Sequence, residues 1–149
     1  MEFKIPEPLK AEHAELHAEL ARARAAGGRT GEVAKAVAEI LHPHFVREEE
    51  IAMPPLALLT TLADNRLSPE MSDVLAMTEN LEAELPQMLQ QHKEIVAALE
   101  RLVKAAGNEG KPEVARFAEK LMLHARTEEE VLYPAAVLVG RYVKLKLGR

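Results

Sequence analysis

The sequence predicts an all-α protein: an antiparallel, up-down-up-down four-helix bundle with an additional short C-terminal helix. Apolar residues recur every three or four positions along four stretches, which is the pattern of amphipathic helices. Short breaks separate most of the stretches, and short breaks favour antiparallel neighbours. Aromatic residues make up only 3% of the chain, so aliphatic side chains must build the core, which favours helices over a β-sandwich. The 149 residues fit one domain spanning positions 1–149.

Composition narrows the class of protein further. The formal net charge of −5 argues against nucleic acid as the main partner, because phosphate contacts need clustered cations. The chain has no Cys, so disulfides and thiolate metal sites are excluded and any metal must be held by N and O ligands. No apolar run reaches membrane-spanning length, and the first nine residues contain no apolar signal-peptide core. We therefore expect a soluble cytoplasmic protein that does not enter a membrane.

The first half of the chain predicts two helices. The first runs from Leu9 to Ala26, where Gly27 and Gly28 follow. The second is expected to begin near Thr30, a plausible N-cap, and to end or change direction at Pro54. A further apolar segment, 56–62, follows before a turn.

The second half predicts two more helices and a short tail. Ser68 and Pro69 have the form of an N-cap and a first helical residue, and a long helical region runs from there to Ala106. Pro86 lies inside it, so either the helix kinks there or residues 71–80 form a separate short helix. Pro112 begins the fourth helix, and residues 135–147 have the pattern of a short C-terminal helix with its basic residues facing solvent.

The two halves are related by an internal repeat. The stretch Leu41–Pro54 matches Leu121–Pro134 at an offset of 80 residues, so that His44 corresponds to His124 and Glu48 to Glu128. Earlier in each half, His13 corresponds to His92. Each half therefore contributes one His and one His-x-x-x-Glu pair, whose two side chains share a helix face.

Six polar side chains occupy positions that the apolar patterns assign to the core. They are His13, His44, Glu48, His92, His124 and Glu128. Burying an ionised carboxylate without a partner costs several kcal/mol, and a pair of divalent or trivalent metal ions would remove that cost. A single His on an apolar face is more often a structural residue, but six such residues in repeat register indicate a metal site. Histidine and carboxylate ligands in a helical bundle favour non-haem iron, with Mn or Zn as further candidates.

The remaining His residues and acids are expected to play smaller parts. His17 lies one turn after His13 and borders the same face, so it is a candidate seventh ligand. His42 lies about 200° round the helix from His44 and is expected to face solvent or to support a ligand. The neighbouring acids are expected to form solvated faces: Glu12, Glu15, Glu49, Glu50, Glu94, Glu129 and Glu130.

Four stretches of the chain resemble the hemerythrin-like (HHE cation-binding) family. They read LKAEHAEL, LHPHFVREEE, LQQHKEIVAAL and LHARTEEEVLYP, and they lie between Leu9 and Pro134. The resemblance implies an antiparallel four-helix bundle around a non-haem di-iron centre. It further implies that one iron is held by the first two ligand His and the other iron by the last two, with both Glu bridging. The implied pairs are His13 with His44 and His92 with His124.

The chain departs from the oxygen-carrying members at two positions. Those members have a second His one turn after the third-helix His, where this chain has Val96. They also place the last carboxylate one residue later, as Asp, where this chain has Glu128. The chain is thus more similar to the regulatory and bacterial HHE proteins.

The leading functional hypothesis is a non-haem di-iron protein that binds or senses a small gas such as O2 or NO, or handles iron. It has no predicted catalytic residue and is expected to be a binding protein more than an enzyme; a homo-oligomer remains open. One alternative is a di-iron oxidase or peroxidase, although the ferritin-type Glu-x-x-His pattern occurs only at Glu39–His42, off the apolar face. The other alternative is a metal-free helical interaction domain, which should be insensitive to chelators.

Overall fold

The computed structural model describes residues 2–149, which form helices joined by short connections. No strand occurs within this range. The helices, in chain order, are α1 (Glu7–Ala25), α2 (Gly28–Ile51), α3 (Leu59–Ala63), α4 (Leu75–Asn108), α5 (Pro112–Thr127) and α6 (Tyr133–Leu147). Two 3-10 segments, Pro54–Leu58 and Pro69–Val74, lie before α3 and α4. The predicted all-α class is confirmed.

Helices α1, α2, α4 and α5 form the four sides of the bundle, and consecutive sides run antiparallel. His44 in the later half of α2 faces Gln91 in the middle of α4, whereas Thr30 at the start of α2 reaches Glu109 just after α4 ends. On the opposite side, Lys120 of α5 pairs with Glu15 and Glu19 of α1. The up-down-up-down arrangement brings the corresponding face of every helix into one interior.

The long region around Pro86 is a single helix. Pro86 lies within α4, is exposed, and does not end it, so residues 71–80 do not form a separate helix. The 3-10 segment Pro69–Val74 instead leads directly into α4. With 34 residues, α4 extends well beyond α2, and its first turns pack against α6.

Helices α5 and α6 are joined by a π-helical turn at Glu128–Leu132. The backbone of Thr127, Leu132 and Tyr133 stays in the right-handed helical region, so the predicted C-terminal helix continues the fourth helix. A proline ring clashes with the carbonyl four residues earlier in a regular helix. For Pro134 that residue is Glu130, inside the wider turn, which explains why Pro134 does not end the helix as Pro54 ends α2.

The turn between α4 and α5 supplies hydrogen bonds to the end of α1 and to the start of α2. The Glu109 carboxylate accepts hydrogen bonds from the backbone N–H groups of Arg29, at 3.2 Å, and Thr30, at 2.7 Å. Thr30 also donates its hydroxyl proton to Glu109. The Lys111 ammonium donates to the carbonyl of Ala26 just after α1. Thr30 is therefore not the N-cap of α2: the helix begins at Gly28, and its cap comes from the other hairpin.

The interior consists of three apolar clusters with a polar layer between the first two. The first cluster lies between the polar layer and the end of the bundle where the α1–α2 and α4–α5 turns meet, and it includes Phe45, Leu99 and Leu121. The second surrounds Met88 and Tyr133, and the third lies where α6 meets the connection before α4. Along α2, along α4, and along α5 with the turn that follows it, five of the six polar residues come between members of the first and second clusters; the sixth, His13, lies on α1.

Candidate metal centre

Every helix of the bundle contributes to the polar layer. His13 lies on α1, His92 on α4 and His124 on α5, while α2 supplies both His44 and Glu48. Glu128 is the first residue of the π-helical turn. All six are buried, and none exposes more than 6% of its surface. The structure thus brings together the six residues that the apolar patterns singled out.

The six side chains form two groups that share one carboxylate. The first group contains His44, Glu48, His92 and Glu128, and the second contains His13, His124 and Glu128. One Glu128 oxygen lies 3.2 Å from His92 Nε2. The other lies 3.2 Å from His124 Nε2 and 3.7 Å from His13 Nε2. Glu128 is therefore placed to bridge two adjacent positions, whereas Glu48 belongs to the first group alone.

This grouping differs from the pairing that the resemblance implied. His44 pairs with His92, their Nε2 atoms 2.9 Å apart, and not with His13. His13 lies instead beside His124, with ring centroids 5.3 Å apart. Each imidazole sits at a corner of a four-helix square and so has two neighbours. The close contacts between imidazoles therefore join α2 to α4 and α1 to α5, and they do not join the two helices of either hairpin.

Four buried atoms of the layer have no hydrogen-bond partner among the described residues. They are His13 Nε2, Glu48 Oε1, His124 Nε2 and Glu128 Oε2. Unsatisfied buried polar atoms are rare, because each loses its hydration without replacement. Nitrogen and oxygen atoms converging in this way fit bound metal cations, one in each group, which together would satisfy all four atoms.

In each of the four imidazoles, the Nδ1 atom lies beside a hydrogen-bond acceptor. His13 Nδ1 lies 3.2 Å from a Glu49 oxygen and His92 Nδ1 lies 2.9 Å from a Glu129 oxygen. His44 Nδ1 lies 2.7 Å from the Gln91 amide oxygen, and His124 Nδ1 contacts Glu12. Because these acceptors bind an N–H, they place the imidazole proton on Nδ1 and direct the Nε2 lone pair inward. Metal-binding histidines are oriented in this manner.

Sequence reasoning missed the role of these acceptors. Glu12, Glu49 and Glu129 were expected on solvated faces, and they are indeed 38–45% exposed. Each nevertheless reaches inward to an imidazole of a neighbouring helix. A contact between helices leaves no signal in the periodicity of either one, so the pattern could not reveal it.

Tyr133 is a further residue of the centre that the sequence did not single out. Its side chain is buried, and its hydroxyl donates to Glu48 Oε2 at 2.7 Å and lies 3.0 Å from His92 Nε2. In a regular helix a residue five positions after Glu128 would lie about 140° away from it. The π-helical turn between them changes that angle and brings both side chains into the centre.

The electrostatics of the layer shift the pKa values of the two carboxyl groups in opposite directions. Burial and the nearby Glu128 charge raise the pKa of Glu48 well above its ordinary value. Burial also acts to raise the pKa of Glu128, but the adjacent Glu48 carboxyl group and the three imidazoles beside it outweigh burial and hold the pKa well below the ordinary value. Burial and the adjacent carboxylates raise the pKa of the Tyr133 hydroxyl, which stays protonated.

The structure brings His17 into neither group. The centroid of its ring lies 5.7 Å from that of His42 and 5.0 Å from that of Phe45, whose ring is nearly perpendicular to it. The Phe45 ring also stacks on His13, with ring centroids 4.2 Å apart, so this aromatic side chain contacts both His17 and a residue of the centre. Burial and the neighbouring His42 lower the pKa of His17. His42 is exposed, one of the two positions expected for it.

A layer of buried imidazoles and carboxylates inside an antiparallel helical bundle defines a cation-binding helical-bundle protein. The sequence profile described as the Hemerythrin HHE cation binding domain matches residues 5–136, which include all six residues of the layer. The chain therefore belongs to the hemerythrin HHE cation-binding family. Searches of curated proteins and of solved structures produced no match. Among residues 2–149, the helices are too short or too polar to cross a membrane.

Proposed function

We propose that the centre holds two iron ions and that the protein uses them to bind or sense a small gas such as O2 or NO, or to handle iron itself. The observation that carries the proposal is the position of Glu128, whose two oxygens face imidazoles of different groups. A carboxylate in that position can bridge two ions. The ligand chemistry favours iron, because all the inward-facing atoms are N or O and imidazole nitrogens predominate.

The residues of the chain hold the centre in a fixed arrangement before any ion arrives. Each imidazole is oriented from behind by its Nδ1 acceptor, and the Tyr133 hydroxyl orients Glu48. Bound iron would supply redox chemistry and open coordination positions for a small ligand. The surrounding apolar clusters exclude water from the layer. Such a centre suits a diatomic molecule better than a larger substrate.

A groove between α1 and α5 supports access by a small molecule. It has a volume of about 420 Å³, and both Glu12 and His124 line it. Glu12 is 45% exposed while its carboxylate contacts the His124 imidazole, so this acid spans the distance between solvent and the polar layer. Of the six residues of the layer, His124 is the one that lines this groove.

Metal analysis with a matched pair of variants tests the proposal. Protein from iron-supplemented cells should contain two irons per chain, and its absorption spectrum should change when O2 or NO is added to the reduced protein. Glu128→Gln should lose iron while keeping the helical circular dichroism signal. Glu130→Gln, a substitution of the same kind at an exposed position two residues away, should retain it. One zinc per chain, or none, would contradict the iron proposal.

A further inference from the structure

The Tyr133 hydroxyl lies among the inward-facing atoms of the first group. Its oxygen is 2.7 Å from Glu48 Oε2, 3.0 Å from His92 Nε2 and 3.2 Å from His44 Nε2. The two imidazole nitrogens are themselves 2.9 Å apart, and His44 Nε2 lies 3.4 Å from the other Glu48 oxygen. The Tyr133 side chain is buried, so its hydroxyl does not face bulk solvent. The hydroxyl oxygen is therefore a member of this compact set of N and O atoms.

Hydrogen bonding within the chain does not account for all three contacts of the hydroxyl. A phenol has one proton, and Tyr133 donates it to Glu48. The imidazoles of His44 and His92 direct their Nδ1 protons outward to their acceptors, so both Nε2 atoms present lone pairs to the interior. The Tyr133 oxygen and the two Nε2 atoms thus face one another without a proton between them. A cation among these three atoms would replace their mutual repulsion by attraction.

The spacing of the hydroxyl is also that of a ligand atom. Nitrogen and oxygen ligands bind first-row metal ions at about 2.0–2.2 Å. Two such ligands at right angles about one ion therefore lie about 3 Å apart. The distances of 2.7, 3.0 and 3.2 Å from the Tyr133 oxygen match this spacing, as does the 2.9 Å between the imidazole nitrogens. Tyr133 is thus placed as Glu48 and the imidazoles are, beside one common position.

The hydroxyl is an addition of the second half of the chain to the internal repeat. At the offset of 80 residues that aligns the two halves, Tyr133 corresponds to Met53. Met53 is buried and belongs to the second apolar cluster. The π-helical turn Glu128–Leu132 directly precedes Tyr133, and such turns frequently occur at functional sites. Packing at this position is compatible with an apolar side chain, so the hydroxyl calls for a separate explanation.

We propose that Tyr133 is a ligand of the ion held by the first group and that its phenolate oxygen binds that ion. This inference rests on the proposed function, because it assigns one more ligand to one of the two ions proposed there. As the ion binds, the O–H bond of the hydroxyl breaks, the oxygen binds the ion and the proton is released to solvent. The first group then has Tyr133 in addition to its four residues, whereas the second group has three. The two ions therefore differ in their coordination.

Resonance Raman spectroscopy of the protein loaded with ferric iron tests the proposal. Excitation of a phenolate-to-iron charge-transfer band enhances the ring vibrations of a coordinated tyrosine. The chain has two tyrosines, and the other one, Tyr142, is 38% exposed on α6. In Tyr142→Phe, Tyr133 is the remaining tyrosine, so this variant should retain the band and its ring vibrations should shift when ring-deuterated tyrosine is incorporated. Tyr133→Phe should lose these vibrations, keep the helical circular dichroism signal and bind ferric iron at least about tenfold more weakly.

The outcomes separate this proposal from the di-iron function. Ferric iron bound to Tyr142→Phe without tyrosine ring vibrations would overturn Tyr133 as a ligand and leave the di-iron function standing. Ring vibrations that persist in Tyr133→Phe would also overturn it. Ring vibrations from Tyr133 with one iron per chain would support the ligand and contradict a two-iron centre. A protein that binds no ferric iron would overturn both.

Discussion

Each imidazole of the centre lies between an inward carboxylate, which faces its Nε2 atom, and an outward hydrogen-bond acceptor, which faces its Nδ1 atom. The acceptors are not equivalent: three are partly exposed carboxylates, whereas His44 is held by the neutral amide of Gln91. Burial lowers the pKa of His44, so its imidazole stays neutral and able to bind a cation. At the scale of the residue, metal affinity therefore depends on side chains that would not touch the metal.

Replacing Gln91 by Leu should weaken iron binding without unfolding the protein. The substitution removes the acceptor that orients His44 Nδ1, and losses of such outer contacts reduce metal affinity about 10- to 100-fold. Competition with a chromophoric chelator measures the change. Gln90→Leu alters an exposed neighbour of the same type and should leave the affinity unchanged. Equal affinities for the two variants would show that the Gln91 contact has no part in holding the metal.

At the scale of the helices, two contacts between different helices hold the fold together. Gly140 of α6 packs against Thr78 of α4, and an added Cβ at Gly140 would overlap the Thr78 side chain. At the opposite end of the bundle, Glu109 supplies the hydrogen bonds that the first N–H groups of α2 would otherwise lack. Both contacts join segments far apart in the chain, so they fix how the helices meet.

Gly140→Ala should destabilise the protein by about 1–3 kcal/mol, because overpacking forces two helices apart. Gly107→Ala provides the matched control: Gly107 is also in a helix, and an added Cβ there meets no atom within 4 Å. That control should gain about 0.5–1 kcal/mol from higher helix propensity. Urea denaturation measures both changes. A loss of stability in both variants would rule out the steric explanation.

Glu109→Gln should destabilise the protein at neutral pH but not in acid. The hydrogen bonds from Thr30 lower the pKa of Glu109 from 4.5 to about 2 in the folded state. A lowered pKa contributes stability above 4.5, and that contribution is lost as the pH falls from 4.5 toward 2. The difference in urea midpoint between wild type and variant should therefore shrink over this window. A difference that stayed constant with pH would mean that the charge of Glu109 does not matter.

Taken as a whole, the molecule places a polar layer between two apolar clusters. In the absence of a cation, that layer holds two buried carboxyl groups and several buried atoms without hydrogen bonds. A ligand that binds the folded state and not the unfolded chain stabilises the fold. The centre therefore links cation binding to the stability of the entire bundle.

Removal of metal by a chelator should lower the melting temperature, and returning ferrous iron should restore it. A ligand present at about a thousandfold above its dissociation constant contributes about 4 kcal/mol. Differential scanning calorimetry with and without chelator gives the shift. Glu128→Gln, expected to bind no iron, should melt at the same temperature in both conditions. A chelator effect of equal size in that variant would mean that the chelator acts elsewhere.

Much of the molecule follows from the sequence by itself. Apolar periodicity is a local property of each helix, so it revealed the four helices of the bundle. The same patterns placed six polar residues on buried faces, because a polar residue at a position that the periodicity assigns to the core can be recognised from the sequence alone. The internal repeat then indicated that the six act together.

The tertiary structure decided what depends on contacts between helices. It set which imidazoles lie together, which acceptors hold them, that His17 is excluded from the groups, and that Glu109 caps α2. It also revealed the π-helical turn at Glu128–Leu132, which brings the Tyr133 hydroxyl to Glu48. In a regular helix, Tyr133 would face away from the side on which Glu128 lies. The physical reason is that periodicity records which face of a helix is buried, whereas the partner across the interface is chosen by packing.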